Sequence, residues 1–336
     1  MYEAFYRLTA KPFQLNPDPR FFYGSKGHKR AMAYLEYGLS LGEGFIVITG
    51  EIGAGKTTLV RNLFKKLETE NVVAAQLVST QLDADDTLRM VVACFGLEHE
   101  GLSKPALLKR LEDYLLAAQR QGKRALLVVD EAQNLTPRAV EELRMLSNYQ
   151  TADRSLIQTF LLGQPEFRDV LQSQSMQQLR QRIIASYHLG PLDEDETRGY
   201  IEHRLATAGW QGVPSFSEDV FPAIHRYTGG IPRRINTFCD RLLLFGFLEE
   251  KTHFDASAVN DVIEDLGQEV AQQQQRPSVQ PMAGAMTEVP AQHGTVNGSD
   301  LARLTERVEH MERSINRLLP LVRKILFTVS DKAALD

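Results

Sequence analysis

Cysteine is almost missing from this chain: Cys94 and Cys239 are the only two in 336 residues, far apart and each set among apolar neighbours. A disulfide framework and a cysteine-built zinc site are therefore excluded, and two reduced core thiols are expected. Long apolar runs are missing too, since none approaches the roughly 20 residues that cross a bilayer. The start, MYEAFYRLTAKPF, lacks the basic stretch and apolar core of a secretory signal. Nor is there an excess of one charge, because 38 Lys and Arg stand against 43 Asp and Glu, a formal net charge of −5. No overall field draws such a chain to nucleic acid or anionic lipid, so nucleic acid is not the expected partner. No HExxH pair, GxSxG elbow or Cys/His nucleophile pattern occurs, and His203 and His225 stand singly on helical segments as structural residues. The expected location is the cytoplasm.

What the chain does have is alternation. The runs FIVITG (45–50), VVAAQLV (72–78), ALLVVD (125–130), LIQTFLLG (156–163) and IIASYHL (183–189) read as strands buried on both faces. Helix-length segments such as 84–95, 103–121 and 136–148 lie between them. This predicts an α/β fold with a parallel five-stranded sheet over residues 1–190. Thr136-Pro137 supplies an N-cap followed by proline at the first helical position, and Asp193 with Glu196 has capping-box spacing. Helical periodicity then continues through 194–208, 217–228, 232–249 and 256–267, which predicts a small all-helical domain over 191–270.

Residues 271–300 are rich in Gln, Pro, Gly and Ala without hydrophobic period, the composition of a disordered linker. Beyond it, Leu301, Leu304, Val308, Met311, Ile315, Leu318, Val322 and Ile325 recur at spacings of three and four. That seam predicts a coiled-coil helix over 301–328, interrupted by Pro320. Self-association is the preferred reading. Docking on the same protein is a second, and contact of its widened apolar end with a membrane surface, a peripheral position at the inner membrane, is a third.

The densest chemistry lies in GFIVITGEIGAGKTTL (44–59). Gly50 to Thr57 fits G-x-x-x-x-G-K-[ST] and sits between a strand and a helix, where a phosphate-binding loop must sit. The whole run Gly50, Glu51, Ile52, Gly53, Ala54, Gly55, Lys56, Thr57 and Thr58 is expected to hold the nucleotide. The glycines let backbone N–H groups turn toward phosphate oxygens at a helix N-terminus. Lys56 would reach the β and γ phosphates and the Thr57 hydroxyl would ligate Mg²⁺. ALLVVDEAQNL (125–135) adds Asp130 for the metal and Glu131 to activate water, so ATP and Mg²⁺ are the expected cofactors. Further positive charge and sensing are expected from Gln164 after the fourth strand, Arg182 before the fifth acting across a subunit interface (Arg180 in reserve), and Arg233 in TGGIPRRIN.

Taken together, these motifs resemble an AAA+ ATPase with a helical lid. PFQLNPDPRFFYGSKGHKRAMAYLEYGL (12–39), GEGFIVITGEIGAGKTTL and LVVDEAQNL are similar to the ExeA/GspA-type secretion-associated ATPases, closest to the subfamily encoded beside exosortase and polysaccharide-export genes. The resemblance covers residues 1 to about 268. It implies an oligomeric ATP hydrolase that drives or regulates an envelope secretion or exopolysaccharide-export apparatus, and it implies Tyr23 and His28 as neighbours of the base. ExeA-type proteins continue into a transmembrane helix and a peptidoglycan-binding domain, where this sequence has a linker and a heptad helix, so direct cell-wall remodelling is not expected. Two alternatives stay open: a DNA-binding transposition-regulator-like AAA+ ATPase, and a nucleotide-gated scaffold with negligible turnover.

Overall fold

The computed structural model describes residues 1–274, apart from 17, 68–69, 79–82 and 152–153. The expected heptad helix, and the linker beyond 274, lie outside the described residues.

Five strands form one parallel sheet: β1 (Phe45–Gly50), β2 (Val72–Val78), β3 (Arg124–Asp130), β4 (Ile157–Gly163) and β5 (Ile183–Leu189), in the order β2-β3-β4-β1-β5. Each coincides with an apolar run to within one residue; the central strands β1, β3 and β4 are buried nearly throughout, whereas the edge strands β2 and β5 are only partly covered, contrary to the expectation that all five are buried on both faces. The alternation of side chains divides them between two cores. Phe45 and Val47 of β1 join Leu127 and Val129 of β3 on one face, while Ile46 and Ile48 join Leu126 and Val128 on the other.

Helices cover both faces. A one-turn helix α1 (Tyr2–Phe5) opens the chain, and α2 (Lys26–Leu41) and α3 (Lys56–Leu67) pack on the second face. The first face is covered by α4 (Ala84–Cys94), α5 (Lys104–Arg120), α6 (Pro137–Leu146), α7 (Glu166–Gln172) and α8 (Gln177–Arg180). Thr136 caps α6 by accepting from the Ala139 N–H, with Pro137 at the first position.

After the sheet come α9 (Glu194–Thr207), a two-residue strand β6 (Ser215–Phe216), α10 (Val220–Thr228), α11 (Pro232–Leu248), a second short strand β7 (His253–Phe254) and α12 (Ala256–Gln274). The capping box of Asp193 and Glu196 opens α9 with both of its hydrogen bonds. Two differences from the helical periodicity stand out. The region is not wholly helical, since β6 and β7 pair in parallel, a ribbon too short to leave a period-two signal. And α12 continues to Gln274, past the expected helical limit.

Tyr2, Tyr6, Leu8 and Phe13 do not pack on the sheet. They are buried in the core formed by α9 to α12, where Thr9 N–H bonds the Ala208 carbonyl at 2.8 Å. The chain thus starts in the helical part, crosses to the sheet before α2, and returns after β5. The two crossings lie side by side, since Lys26 N–H donates to Glu196 Oε1 at 2.7 Å and Lys26 Nζ pairs with Asp193 at 3.0 Å.

Candidate nucleotide site

The parallel sheet delivers its functional groups at one end, where strands β1, β3 and β4 all terminate. Between β1 and α3 the loop turns at Gly53 (φ 84°) and Gly55 (φ 100°), conformations that strain any side-chain-bearing residue. Space is also lacking: a Cβ on Gly53 would stand 2.3 Å from Arg233 Cβ, and one on Gly55 would stand 2.6 Å from His28 Nε2. The loop is therefore clasped between α2 below and α11 above.

Lys56 is buried, and its Nζ donates to the carbonyls of Gly50 at 2.6 Å and Glu51 at 3.0 Å. Burial pushes its pKa down, against the pull of the Glu131 and Asp130 carboxylates. Ala54 is buried beneath the turn, whereas Ile52 is exposed and lines the cavity with Gly53, Gly55, Thr57 and Thr58. Thr57 Oγ1 donates to Asp130 Oδ2 at 3.0 Å, and the other Asp130 oxygen accepts the Glu131 N–H at 3.0 Å. A hydroxyl and a carboxylate in contact form an all-oxygen pair, which fits a hard cation such as Mg²⁺ that completes its shell with water and phosphate.

The adjacent carboxylates are driven apart electrostatically. Burial raises the Asp130 pKa despite its two hydrogen bonds. Burial pushes Glu131 the same way, but donors from Gln133 and Gln164 and the Lys56 charge outweigh it and hold Glu131 below the usual range. The Glu131 backbone is left-handed, φ 54° and ψ 42°, an unusual conformation for a non-glycine residue. Gln133 Nε2 donates to Glu131 Oε2 at 2.5 Å, Gln164 Nε2 donates to the same oxygen at 3.1 Å, and Gln133 Oε1 accepts the Gln164 N–H at 3.0 Å. Both amides take one carboxylate oxygen, so Glu131 Oε1 has no hydrogen-bond partner among the described residues.

Strand order explains how Gln164 arrives there. With β4 between β1 and β3, the residue after β4 falls between the loop and the acidic pair. Its side-chain partner is Glu131. Arg233 starts α11 with its N–H on the Gly53 carbonyl at 3.2 Å, and its guanidinium has no hydrogen-bond or ion-pair partner among the described residues. Arg182 lies at the opposite end of the sheet, with β1, roughly 16 Å of strand, between it and the loop. Its guanidinium bonds Ser147 Oγ at 2.6 Å and Asn148 Oδ1 at 2.5 Å, while Arg180 bonds the carbonyls of Leu171 and Ser173. Neither arginine reaches this chain's own loop.

Tyr23 and His28 both line the cavity. Tyr23 packs edge-on against Tyr200 with ring centres 5.9 Å apart. His28 is buried against the loop, with Nδ1 2.7 Å from Ser25 Oγ. Gln133 and Asn236 were missed from sequence, Gln133 because a polar residue two places past an acidic pair has no periodic signature.

The cavity has a volume of about 380 Å³ and is lined by the loop, α9, α11 and residues 14–16, 18 and 21–23. Its phosphate-end chemistry, two cations facing two carboxylates around a glycine turn, belongs to a fold that can now be placed. The chain has the fold of an AAA-type P-loop nucleoside triphosphatase, as an AAA domain model matches residues 40–171. The Aeropyrum pernix ORC2 protein shares that fold at 18% identity, with a TM-score of 0.58 over 76% of this chain and 71% of that one. A Drosophila ORC structure shares it at 14% identity, with a TM-score of 0.59 over 80% of this chain and 67% of that one. This fold implies a bound nucleotide held with a divalent metal.

More particularly, the chain is similar to General secretion pathway protein A of Aeromonas hydrophila, 41% identical over 251 residues, 74% of this chain and 45% of that protein. The resemblance to secretion-associated AAA ATPases of the ExeA/GspA type is thereby borne out. The chain spans less than half the length of that relative. Among the described residues no helix is long and apolar enough to cross a membrane.

Proposed function

We propose that this protein hydrolyses ATP with Mg²⁺ and uses closure of the helical part, in a self-assembled oligomer, to drive or regulate an envelope secretion or exopolysaccharide-export apparatus. The observation that carries the hydrolytic reading is Glu131: one carboxylate oxygen is pinned by two amides, and the other is left open beside Lys56, Thr57, Asp130 and Arg233. The two amides fix how the carboxylate is turned, and its lowered pKa keeps it ionised, so the open oxygen is held ready to orient and deprotonate a water. Lys56 and Arg233 place positive charge around a transferring phosphoryl group, where charge stabilisation contributes most. Thr57 and Asp130 would hold Mg²⁺, which when bound neutralises charge on the β and γ oxygens. Arg182, remote from its own loop, is left to act on a neighbouring copy. The secretion role rests on the similarity to General secretion pathway protein A.

Steady-state phosphate release tests the reading. Glu131→Gln keeps the amide contacts but removes the base, so ATP should still bind while turnover falls by roughly 10²- to 10⁴-fold. Equal turnover in Glu131→Gln and the parent protein would remove Glu131 from this role.

A further inference from the structure

Arg233 and Asn236 lie one turn apart on α11 and line the same cavity. Arg233 is bonded to the loop through its backbone, so Asn236 stands one helical turn, roughly 5 Å, further from the phosphates. The cavity is lined in part by the apolar and aromatic side chains of Leu15, Phe21, Tyr23, Tyr200 and Pro232, with polar Gln14, Asn16 and Asp18 also on its wall. Such a slot suits a flat heterocycle.

A fixed relay dictates how the Asn236 amide is turned. Arg204 has donors only, and its Nη1 donates to the Tyr200 hydroxyl oxygen at 2.9 Å. The Tyr200 proton must then go elsewhere, and it goes to Asn236 Oδ1 at 2.8 Å. Arg204 cannot rotate away, because its Nε and Nη2 donate to the carbonyls of Pro12 and Gln14 and its guanidinium carbon lies 5.1 Å from the Phe21 ring centre. All three members are at most 7% exposed. The relay leaves Asn236 Nδ2, a pure donor, with no partner among the described residues and the cavity in front of it.

We propose that Asn236 selects the base, its Nδ2 donating to a ring nitrogen of adenine. This rests on the nucleotide reading of the cavity. Arg204 and Tyr200 are positioning residues that hold the amide in its donor-outward orientation.

The test is equilibrium binding by the full chain of ATP, inorganic tripolyphosphate, 2′-deoxy-ATP and the three ATP analogues in which ring nitrogen N1, N3 or N7 is replaced by C–H. One of these analogues should bind roughly 3- to 10-fold more weakly than ATP, the size of one neutral hydrogen bond. Asn236→Asp keeps the acceptor for Tyr200 and removes the donor. It should weaken ATP by at least that factor, leave tripolyphosphate unchanged and cease to distinguish ATP from that analogue. Tyr200→Phe, which frees the amide to turn, should show a smaller loss of the same pattern, and it serves as the second variant should Asn236→Asp not fold. Unchanged ATP affinity in the folded variants would overturn the proposal, as would equal binding of all three analogues with a penalty only for 2′-deoxy-ATP, which would assign the amide to the ribose. If the parent protein binds neither ATP nor tripolyphosphate, the nucleotide reading itself fails.

Discussion

Gln133 offers the sharpest test of how Glu131 is held. Replacing it with alanine deletes the 2.5 Å bond to Glu131 Oε2 and the acceptor for the Gln164 N–H at 3.0 Å. A hydrogen bond to a charged group contributes about 1.5–3 kcal/mol, and since Glu131 is only partly buried the lower figure applies. If the orientation of Glu131 matters chiefly in the transition state, about 1.5 kcal/mol corresponds to roughly a tenfold fall in turnover. Binding should change little, because no bond of Gln133 touches the phosphate loop. Gln164→Ala should behave alike. The double variant should lose more than the product of the two, because either amide alone still grips the shared oxygen. The assay is phosphate release across a range of ATP concentrations, giving kcat and KM separately. A rise in KM at unchanged kcat would refute the reasoning, since it would make Gln133 a binding residue.

Arg182→Ala should leave ATP binding intact yet cut turnover, and full turnover in a dilute monomer would exclude action across an interface. Gly53→Ala must force Arg233 Cβ, only 2.3 Å from the new methyl carbon, away from the loop. Overpacking of this kind costs about 1–3 kcal/mol, so thermal stability and nucleotide affinity should both drop; normal values for both would show that α11 is not seated on the loop. His28 is kept neutral by burial, its pKa below the ordinary 6.5. The unfolded chain therefore binds the proton first, and stability present above about pH 6.5 should decline as pH falls toward the folded pKa. His28→Gln should flatten that slope in thermal melts taken at several pH values, and an unaltered slope would assign it to other groups.

The sheet was legible because parallel strands leave nearly uninterrupted apolar runs, and the starts of α6 and α9 because Thr136-Pro137 and Asp193 with Glu196 mark them. The phosphate loop was legible because its backbone geometry demands glycine at fixed places. Harder to see were groups whose roles depend on which neighbour they meet. Gln133 becomes a clamp only once β4 has inserted Gln164 beside it. Asn236 matters only because α11 turns that face to the cavity, although Arg204, a cation on the apolar side of α9 with Tyr200, Ile201 and Leu205, was a detectable hint. The amino-terminal aromatics gave no sign that they pack into the helical core rather than on the sheet, because an apolar residue does not name its partner.

That last arrangement shapes how the molecule can move. If the helical part closes as proposed, the two backbone connections, meeting where Lys26 touches Asp193 and Glu196, would act as a pair of pins on one door. A swing that opens the slot would have to pivot on the line through them, with Tyr2, Tyr6, Leu8 and Phe13 carried along as part of the door. Motion of the catalytic cover would therefore be felt at the very beginning of the polypeptide, and a fluorophore attached there would report it.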